Sequence, residues 1–269
     1  MSDGWIGVDI GGTGIKVGLV DPVAGKMVSD RIKLPTPHPA TPENVITTLK
    51  EAASRLESPH PIGIGFPAVI VHGVATMATH MDPDWIGRNV VDEFSAALGR
   101  DVTVVNDADS AGLAEMRFGA GKGETGVVLM LTLGTGIGSA LFIDGQLVPN
   151  TELGHIKVRG KPAEQRAAAS VRERKGLSWK RWVNRRLNEY LREIDGLIWP
   201  DRIILGGGVS RHSEKWAKYL DVRPPVSIAT LENNAGIVGA AVRAYETYGA
   251  PTPAKRTPTG RRRARKRAS

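Results

Sequence analysis

Apolar and polar positions alternate along this chain in short blocks. WIGVDI (5–10), IKVGLV (15–20) and MVSDRIKL (27–34) are rich in β-branched and aliphatic residues and are separated by tight turns, so they predict three successive strands. A proline-rich link, PTPHPATP (35–42), comes next. Beyond it Val45, Ile46, Leu49 and Ala53 recur at helical spacing and predict a helix over 43–56. The same patterns predict a strand at IGIGFPAVIV (62–71), a helix over 89–98, a strand at VTVVND (102–107) and a helix over 109–118.

The Gly-rich stretch GAGKGETG (119–126) is a natural boundary, and after it the scheme restarts. GVVLMLTL (126–133), a Gly/Thr turn and GSALFI (138–143) repeat the order strand, turn, strand of DIGGTGIKVGLV (9–20), which implies a duplicated lobe. A long helix is predicted over 178–198, capped by Ser178, with Trp179, Trp182, Val183, Leu187, Tyr190, Leu191 and Ile194 on one core-facing side. A strand at RIILGGG (202–208), a helix at HSEKWAKYL (212–220), a strand at VSIA (226–229) and a closing helix over 235–248 complete the pattern. The expected organisation is a first lobe over 1–120 completed by helix 235–248, a second lobe over 121–234, and a disordered tail over 251–269.

Composition narrows the functional classes. At 269 residues and 41% hydrophobic, the chain can bury one large core or two ordinary ones. With no cysteine it has no disulfide, thiolate metal site or Cys nucleophile. MSDGW lacks the basic and apolar regions of a signal peptide, and the most apolar segment, 127–143, is broken by Gly, Thr and Ser and falls short of a membrane span. A soluble cytoplasmic protein is expected. The net charge of +8 resides in the last 19 residues, which hold 8 Lys and Arg and no acid; the remainder is neutral. That tail is read as a solvated arm or as a polyanion contact, with nucleic acid an unlikely partner.

Gly/Thr turns without β-carbons let backbone N–H groups approach a phosphate oxygen, and Thr adds a hydroxyl donor. Two such turns can hold one phosphate chain between them. Other Gly-rich schemes fail on spacing. A dinucleotide fingerprint from Gly12 and Gly14 requires Gly at position 17, which is Val, and a helix where the pattern gives a strand; no P-loop motif occurs. Asp107, at a strand end before a helix, is the candidate acceptor of a hydroxyl proton, and an ordinary Asp pKa of about 3.9 would leave it ionised at neutral pH. An Asx turn or helix cap is the alternative use of Asn106 and Asp107.

DIGGTGIKVG, LTLGTGIGSAL and ILGGGVS resemble the two phosphate motifs and the adenosine motif of the sugar-kinase, actin and chaperone-ATPase fold. GIGFPAVI, NDADSAGLAE and TELGH resemble the ROK family of sugar kinases and repressors, over about residues 5–248. Within that family, ELGHIKVRGKPAE and the helix LSWKRWVNRRLNEYL (177–191) are similar to the branch of polyphosphate glucokinases and glucomannokinases. The resemblance implies an α/β fold of two duplicated, ribonuclease H-like lobes of the actin/hexokinase type with a cleft between them. It implies transfer of a phosphoryl group to the C6 hydroxyl of glucose, with mannose left open, from polyphosphate, ATP or both.

Site residues follow from the same resemblance. Asp107 becomes the general base; Pro67, Ala68, Asn106, Asp107, Glu152 and His155 line the sugar site. Gly11, Gly12, Thr13, Gly14, Lys16, Thr132, Gly134, Thr135 and Gly136 hold phosphates, Gly206, Gly207 and Gly208 the adenosine. Asp9 holds Mg²⁺ through water, a hard cation suited to oxygen ligands. Two departures stand out: no Cys-rich zinc segment follows ELGH, so no structural zinc is expected, and His80 stands where Asn is expected, which leaves discrimination at C2 open.

Residues 157–186 carry 11 Lys and Arg against Glu164 and Glu173. Either this is a solvated helix face or a track for a long polyanion, in which case Lys157, Arg159, Lys161, Arg166, Lys180 and Arg185 are its cations and polyphosphate use is salt-sensitive. A strictly ATP-dependent sugar kinase is the nearest alternative, since ILGGGVS suits an adenine site equally well. A sugar-responsive nucleic-acid-binding protein is the alternative from another class; a strand at Trp5 leaves no room for an amino-terminal helix-turn-helix. The sequence leaves oligomeric state open, a homodimer included.

Overall fold

The computed structural model describes residues 4–78 and 81–249. His80 and the tail at 251–269 lie outside the described residues. In chain order the first lobe contains β1 (Trp5–Gly11), β2 (Gly14–Asp21), β3 (Lys26–Met27), β4 (Ile32–Leu34), α1 (Pro42–Ala53), β5 (Ile62–Phe66), β6 (Val69–Val71), β7 (Val74–Met77), α2 (Val90–Leu98), β8 (Val102–Asn106) and α3 (Asp107–Phe118). The second contains β9 (Val127–Leu133), β10 (Ile137–Ile143), β11 (Gln146–Val148), β12 (Lys157–Val158), β13 (Lys161–Pro162), α4 (Glu164–Ala167), α5 (Ala169–Arg174), α6 (Trp179–Trp182), α7 (Asn188–Ile198), β14 (Arg202–Gly206), α8 (Ser213–Trp216) and β15 (Val226–Ile228); α9 (Ala235–Ala244) then returns to the first sheet and packs on β1 and β5.

The two main sheets have one topology. The first runs β3-β2-β1-β5-β8 and the second β11-β10-β9-β14-β15; in each, a meander of antiparallel strands is extended by two parallel ones. Among the described residues, three apolar clusters hold the molecule together. One joins the first sheet to Val45 and Leu49 of α1, Phe94 of α2 and Trp85. A second packs the outer face of the second sheet against Trp182, Leu187, Tyr190, Leu191 and Trp216. The third lies between the lobes, where Ala111 and Ala114 of α3 and Ile237, Ala241 and Val242 of α9 meet Met130, Ala140 and Phe142 of the second sheet.

Helices α3 and α9 therefore form the axis between the lobes, and they cross almost backbone to backbone. A Cβ at Gly239 would lie 1.7 Å from the Ser110 carbonyl oxygen, so only glycine fits. Ser110 Oγ donates to the Gly236 carbonyl at 2.8 Å and fixes the crossing.

Several local expectations are revised. MVSDRIKL is two short strands, both paired with β2, because Ser29 Oγ accepts from the Leu19 N–H at 2.9 Å where a ladder carbonyl would have done so. IGIGFPAVIV breaks at Pro67 into β5 and β6, as proline removes a ladder donor. The helix expected over 178–198 contains a π-helical segment, Val183–Leu187, yet its apolar side faces the core as the periodicity required. HSEKWAKYL is shorter, α8 followed by a 3₁₀ turn, and α9 passes into a π turn at Tyr245–Gly249. Helix α3 starts at Asp107 rather than at 109, so Asp107 lies inside the first turn.

Candidate active site

The cleft between the lobes holds a cavity of about 360 Å³. Its floor is the junction of β8 and α3. Asn106 ends the strand and caps the helix, its Oδ1 accepting from the N–H groups of Ala108 (2.8 Å) and Asp109 (3.2 Å), while its Nδ2 donates to the Ala68 carbonyl at 3.2 Å. One side chain thus sets both the helix start and the Pro67–Ala68 wall. The helix-cap use and the place in the cavity wall coexist. Asp107, first residue of α3, projects into the cavity with Oδ1 accepting from the Ala108 N–H at 2.9 Å.

What lets α3 reach this position is Gly138 on β10. A Cβ there would lie 2.8 Å from Ala108 Cβ and 2.6 Å from Thr132 Oγ1, so the bare backbone admits the first turn of α3 against the second Gly/Thr turn. Two hairpin tips face Asp107: Gly12 and Thr13 between β1 and β2, and Gly134, Thr135 and Gly136 between β9 and β10. α5 braces the second, because Ser170 donates through its N–H to the Gly134 carbonyl (3.1 Å) and through Oγ to that of Thr135 (2.6 Å).

Across the cavity stand Glu152, His155 and Glu164, with His155 Nε2 3.9 Å from Glu152 Oε2 and 3.8 Å from Glu164 Oε1. Glu164 was not anticipated as a site residue; in the sequence it stands out only as an acid within a basic run. Met77, Ile137 and Gly138 are further wall residues that the sequence did not single out.

The ionisation of Asp107 corrects the sequence-based expectation. Burial in the cleft, then the neighbouring Asp9 carboxylate, push its pKa up to about 7. An acceptor poised near neutrality combines a populated basic form with a strong pull on the proton, whereas a carboxylate near its ordinary pKa is a weaker base. Asp109, two residues on, is likewise pushed up to about 7, chiefly by burial.

Other predicted positions divide. Thr132 and Gly207 also line the cavity; Gly11, Gly14, Lys16, Asp9, Gly206 and Gly208 do not. Gly207 has φ 83° and packs against Leu133, where a Cβ would lie 2.5 Å from the Leu133 carbonyl oxygen. Lys16 Nζ is 2.6 Å from Asp9 Oδ2, directly across the β1–β2 pair. Among the described residues no group of three or more His, Asp or Glu converges as a metal cage. Asp9, with 15% of its side chain exposed, instead offers one hard oxygen ligand near Asp107, which fits Mg²⁺ held mainly by water and phosphate oxygens.

A second, more open hollow of about 650 Å³ lies on the second lobe, lined by Arg159, Arg166, Lys180 and Arg185 of the predicted track, with Arg181, Arg186 and Asn184 in addition. Lys157 and Lys161, on the β12–β13 hairpin, lie outside it. Glu189 pairs with Arg166 at 2.7 Å and with Arg159, and these guanidinium groups hold its carboxyl below the usual range although burial opposes them.

Two lobes of one topology, crossing helices at their base and paired Gly/Thr turns over a carboxylate define the class of actin- and hexokinase-type proteins. The chain matches the ROK family model over residues 5–170. It belongs to the ROK family. It is 49% identical over 237 residues to the polyphosphate glucokinase of Mycobacterium tuberculosis, covering 88% of this chain and 89% of that one. Among solved structures it is similar to the inorganic polyphosphate/ATP-glucomannokinase of Arthrobacter sp. strain KM, with a TM-score of 0.88 and 45% identity over 92% of this chain and 100% of that one. It is also similar to a ROK family glucokinase from Streptomyces griseus in complex with glucose and AMPPNP, with a TM-score of 0.76 and 26% identity over 90% and 99% of the two chains.

Proposed function

We propose that this protein is a glucokinase that transfers the terminal phosphoryl group of inorganic polyphosphate or ATP to the C6 hydroxyl of glucose. The observation that carries the proposal is the convergence of both Gly/Thr tips on Asp107, with Glu152, His155 and Glu164 on the opposite wall. A hexose held by those three side chains, Asn106 and the Pro67–Ala68 backbone presents its C6 hydroxyl to Asp107. As the O6–P bond forms and the bond to the next phosphate breaks, the hydroxyl proton passes to the Asp107 carboxylate, and the donor leaves one phosphate shorter. Backbone N–H groups at residues 12–13 and 135–136 hold the phosphate oxygens, the Gly134 N–H being donated to the Gly136 carbonyl at 3.0 Å, and closure of the lobes excludes water that would otherwise take the phosphate.

Lys16 and Asp9 pair at 2.6 Å outside the cavity lining; a phosphate chain reaching them gives Lys16 a second anion. Mg²⁺ bound through water at Asp9 would spread the charge of the transferred phosphate. Gly206, Gly207 and Gly208 are the adenosine contact when ATP is the donor. Polyphosphate runs over the hollow lined by Arg159, Arg166, Lys180 and Arg185, extended by Arg181 and Arg186. Mannose is a second acceptor, supported by the glucomannokinase among the similar structures. The domain limits proposed are 1–120 with 235–248, and 121–234; the site of action proposed is the cytoplasm. Among the described residues no helix is long and apolar enough to cross a membrane.

The test is glucose 6-phosphate formation from purified polyphosphate with nucleotide scavenged, repeated with ATP and with mannose. Product from polyphosphate supports the proposal; product from ATP alone selects the nucleotide-dependent alternative.

A further inference from the structure

Behind the sugar wall, three elements meet in a small polar cluster that no catalytic step uses. Asn150 precedes Glu152 by two residues and adopts φ 61°, a left-handed conformation that Asn tolerates better than most side chains. Its side-chain amide pairs with both backbone groups of Ile70 on β6: Oδ1 accepts from the Ile70 N–H at 2.9 Å, and Nδ2 donates to the Ile70 carbonyl at 2.8 Å. The amide therefore imitates a neighbouring strand at the edge of the first lobe's pocket wall. Its own N–H donates to Asp109 Oδ2 at 2.8 Å, and Asp109 follows Asp107 by two residues on α3.

We propose that Asp109 and Asn150 form a latch that sets the spacing between Asp107 and Glu152, making both of them positioning residues for the sugar. The idea rests on the proposed sugar site. Asp109 is 1% exposed and, among the described residues, its Oδ1 has no hydrogen-bond partner and its carboxyl makes one hydrogen bond, the one to Asn150. Burying a polar group with half its capacity unused costs stability, and the return is the junction itself. On its other side the same segment is tied to β10: Ser139 Oγ donates to the Thr151 carbonyl at 2.5 Å and accepts from the Leu153 N–H at 3.0 Å. Residues 150–153 are thereby held to β6, α3 and β10 at once. The Ala68 and Glu152 walls come from different lobes, and the latch makes them a preformed unit near the interlobe axis, leaving closure to the phosphate-binding tips.

The experiment measures glucose binding by calorimetry without donor, alongside steady-state constants. Asn150→Gly keeps the backbone conformation at no steric cost and removes both bonds to Ile70. It is expected to weaken glucose binding about tenfold, with the donor KM within twofold and kcat within about threefold of wild type. Asp109→Asn, which keeps an acceptor for the Asn150 N–H, is expected to bind glucose within about twofold of wild type; Asp109→Leu is expected to lose about tenfold. Wild-type binding by Asn150→Gly, identical behaviour of the two Asp109 variants, or equal rises in acceptor and donor KM would overturn the latch. If Asn150→Gly does not fold, Asn150→Asp decides, since it keeps the acceptor and loses the donor: a two- to fivefold loss supports the latch, no loss overturns it. A wild-type protein that binds no glucose would defeat the functional proposal instead, and the latch is then read from the Ile70 amide, whose hydrogen exchange Asn150→Gly should speed at least tenfold.

Discussion

Gly138→Ala tests how Asp107 is placed without altering the Asp107 side chain itself. The added methyl would sit 2.6 Å from Thr132 Oγ1 and 2.8 Å from Ala108 Cβ. The Thr132 hydroxyl can rotate away. Ala108 Cβ cannot, since it has no rotamer, and carbon atoms rest at roughly 3.5–4.0 Å, so the first turn of α3 must retreat by about 1 Å. Asp107 is the adjacent residue and moves with it. A displacement of about 1 Å in a reacting group costs on the order of 10²-fold in rate, and overpacking of this kind costs about 1–3 kcal/mol of stability. The prediction is a folded protein with kcat for glucose phosphorylation down about 10²-fold, glucose affinity reduced by less than tenfold, and a lowered Tm. Product is followed as glucose 6-phosphate in a coupled assay, with glucose binding measured by calorimetry. Gly196→Ala in α7, where a methyl meets nothing within 4 Å, is the matched control and should leave kcat within about twofold. A folded Gly138→Ala enzyme turning over within threefold of wild type would refute the claim that this close approach fixes the base.

Three further outcomes are expected. Asp107→Asn should lower kcat by about 10²- to 10⁴-fold while glucose still binds in calorimetry, and retained turnover would remove Asp107 from the proton transfer. Since the pKa of Asp107 is raised to about 7 and the basic form is the active one, kcat/KM for glucose should fall about tenfold per pH unit below about pH 7; a profile flat to pH 5.5 would contradict this. Replacing Lys180, Arg181 and Arg185 together with Ala should raise the polyphosphate KM and lower the slope of log KM against log salt by about 2, with the ATP KM moved less than about twofold; equal effects on both donors would reject the hollow as a polyphosphate contact.

Much of the molecule was legible in the alternation of its residues, because the physics there is local. Strands β1, β2, β9 and β10 are set by short apolar runs bounded by turn residues, and the tips at 12–13 and 134–136 by glycine. Longer-range facts were out of reach. Glu164 is nine residues from His155 and reaches the same wall only because the β12–β13 hairpin turns the chain back. The π segment Val183–Leu187 adds a residue to its turn and shifts the helical phase, and Arg181 and Arg186 join the basic hollow while Lys157 and Lys161 stay outside it. A 3.6-residue pattern carries no sign of that insertion. The elevated pKa of Asp107 depends on enclosure and on Asp9, which lies 98 positions earlier in the chain. Ordinary pKa values apply to solvated groups and say nothing of such a neighbour.

The most direct measurement is glucose 6-phosphate formation by the purified wild-type enzyme given chromatographically pure polyphosphate, with hexose as acceptor and every trace of nucleotide enzymatically destroyed. The account predicts stoichiometric product, one phosphate shortening per glucose, formed about 10²- to 10⁴-fold more slowly by Asp107→Asn. Absence of product from polyphosphate and from ATP alike, in a protein that is folded and supplied with Mg²⁺, would contradict it.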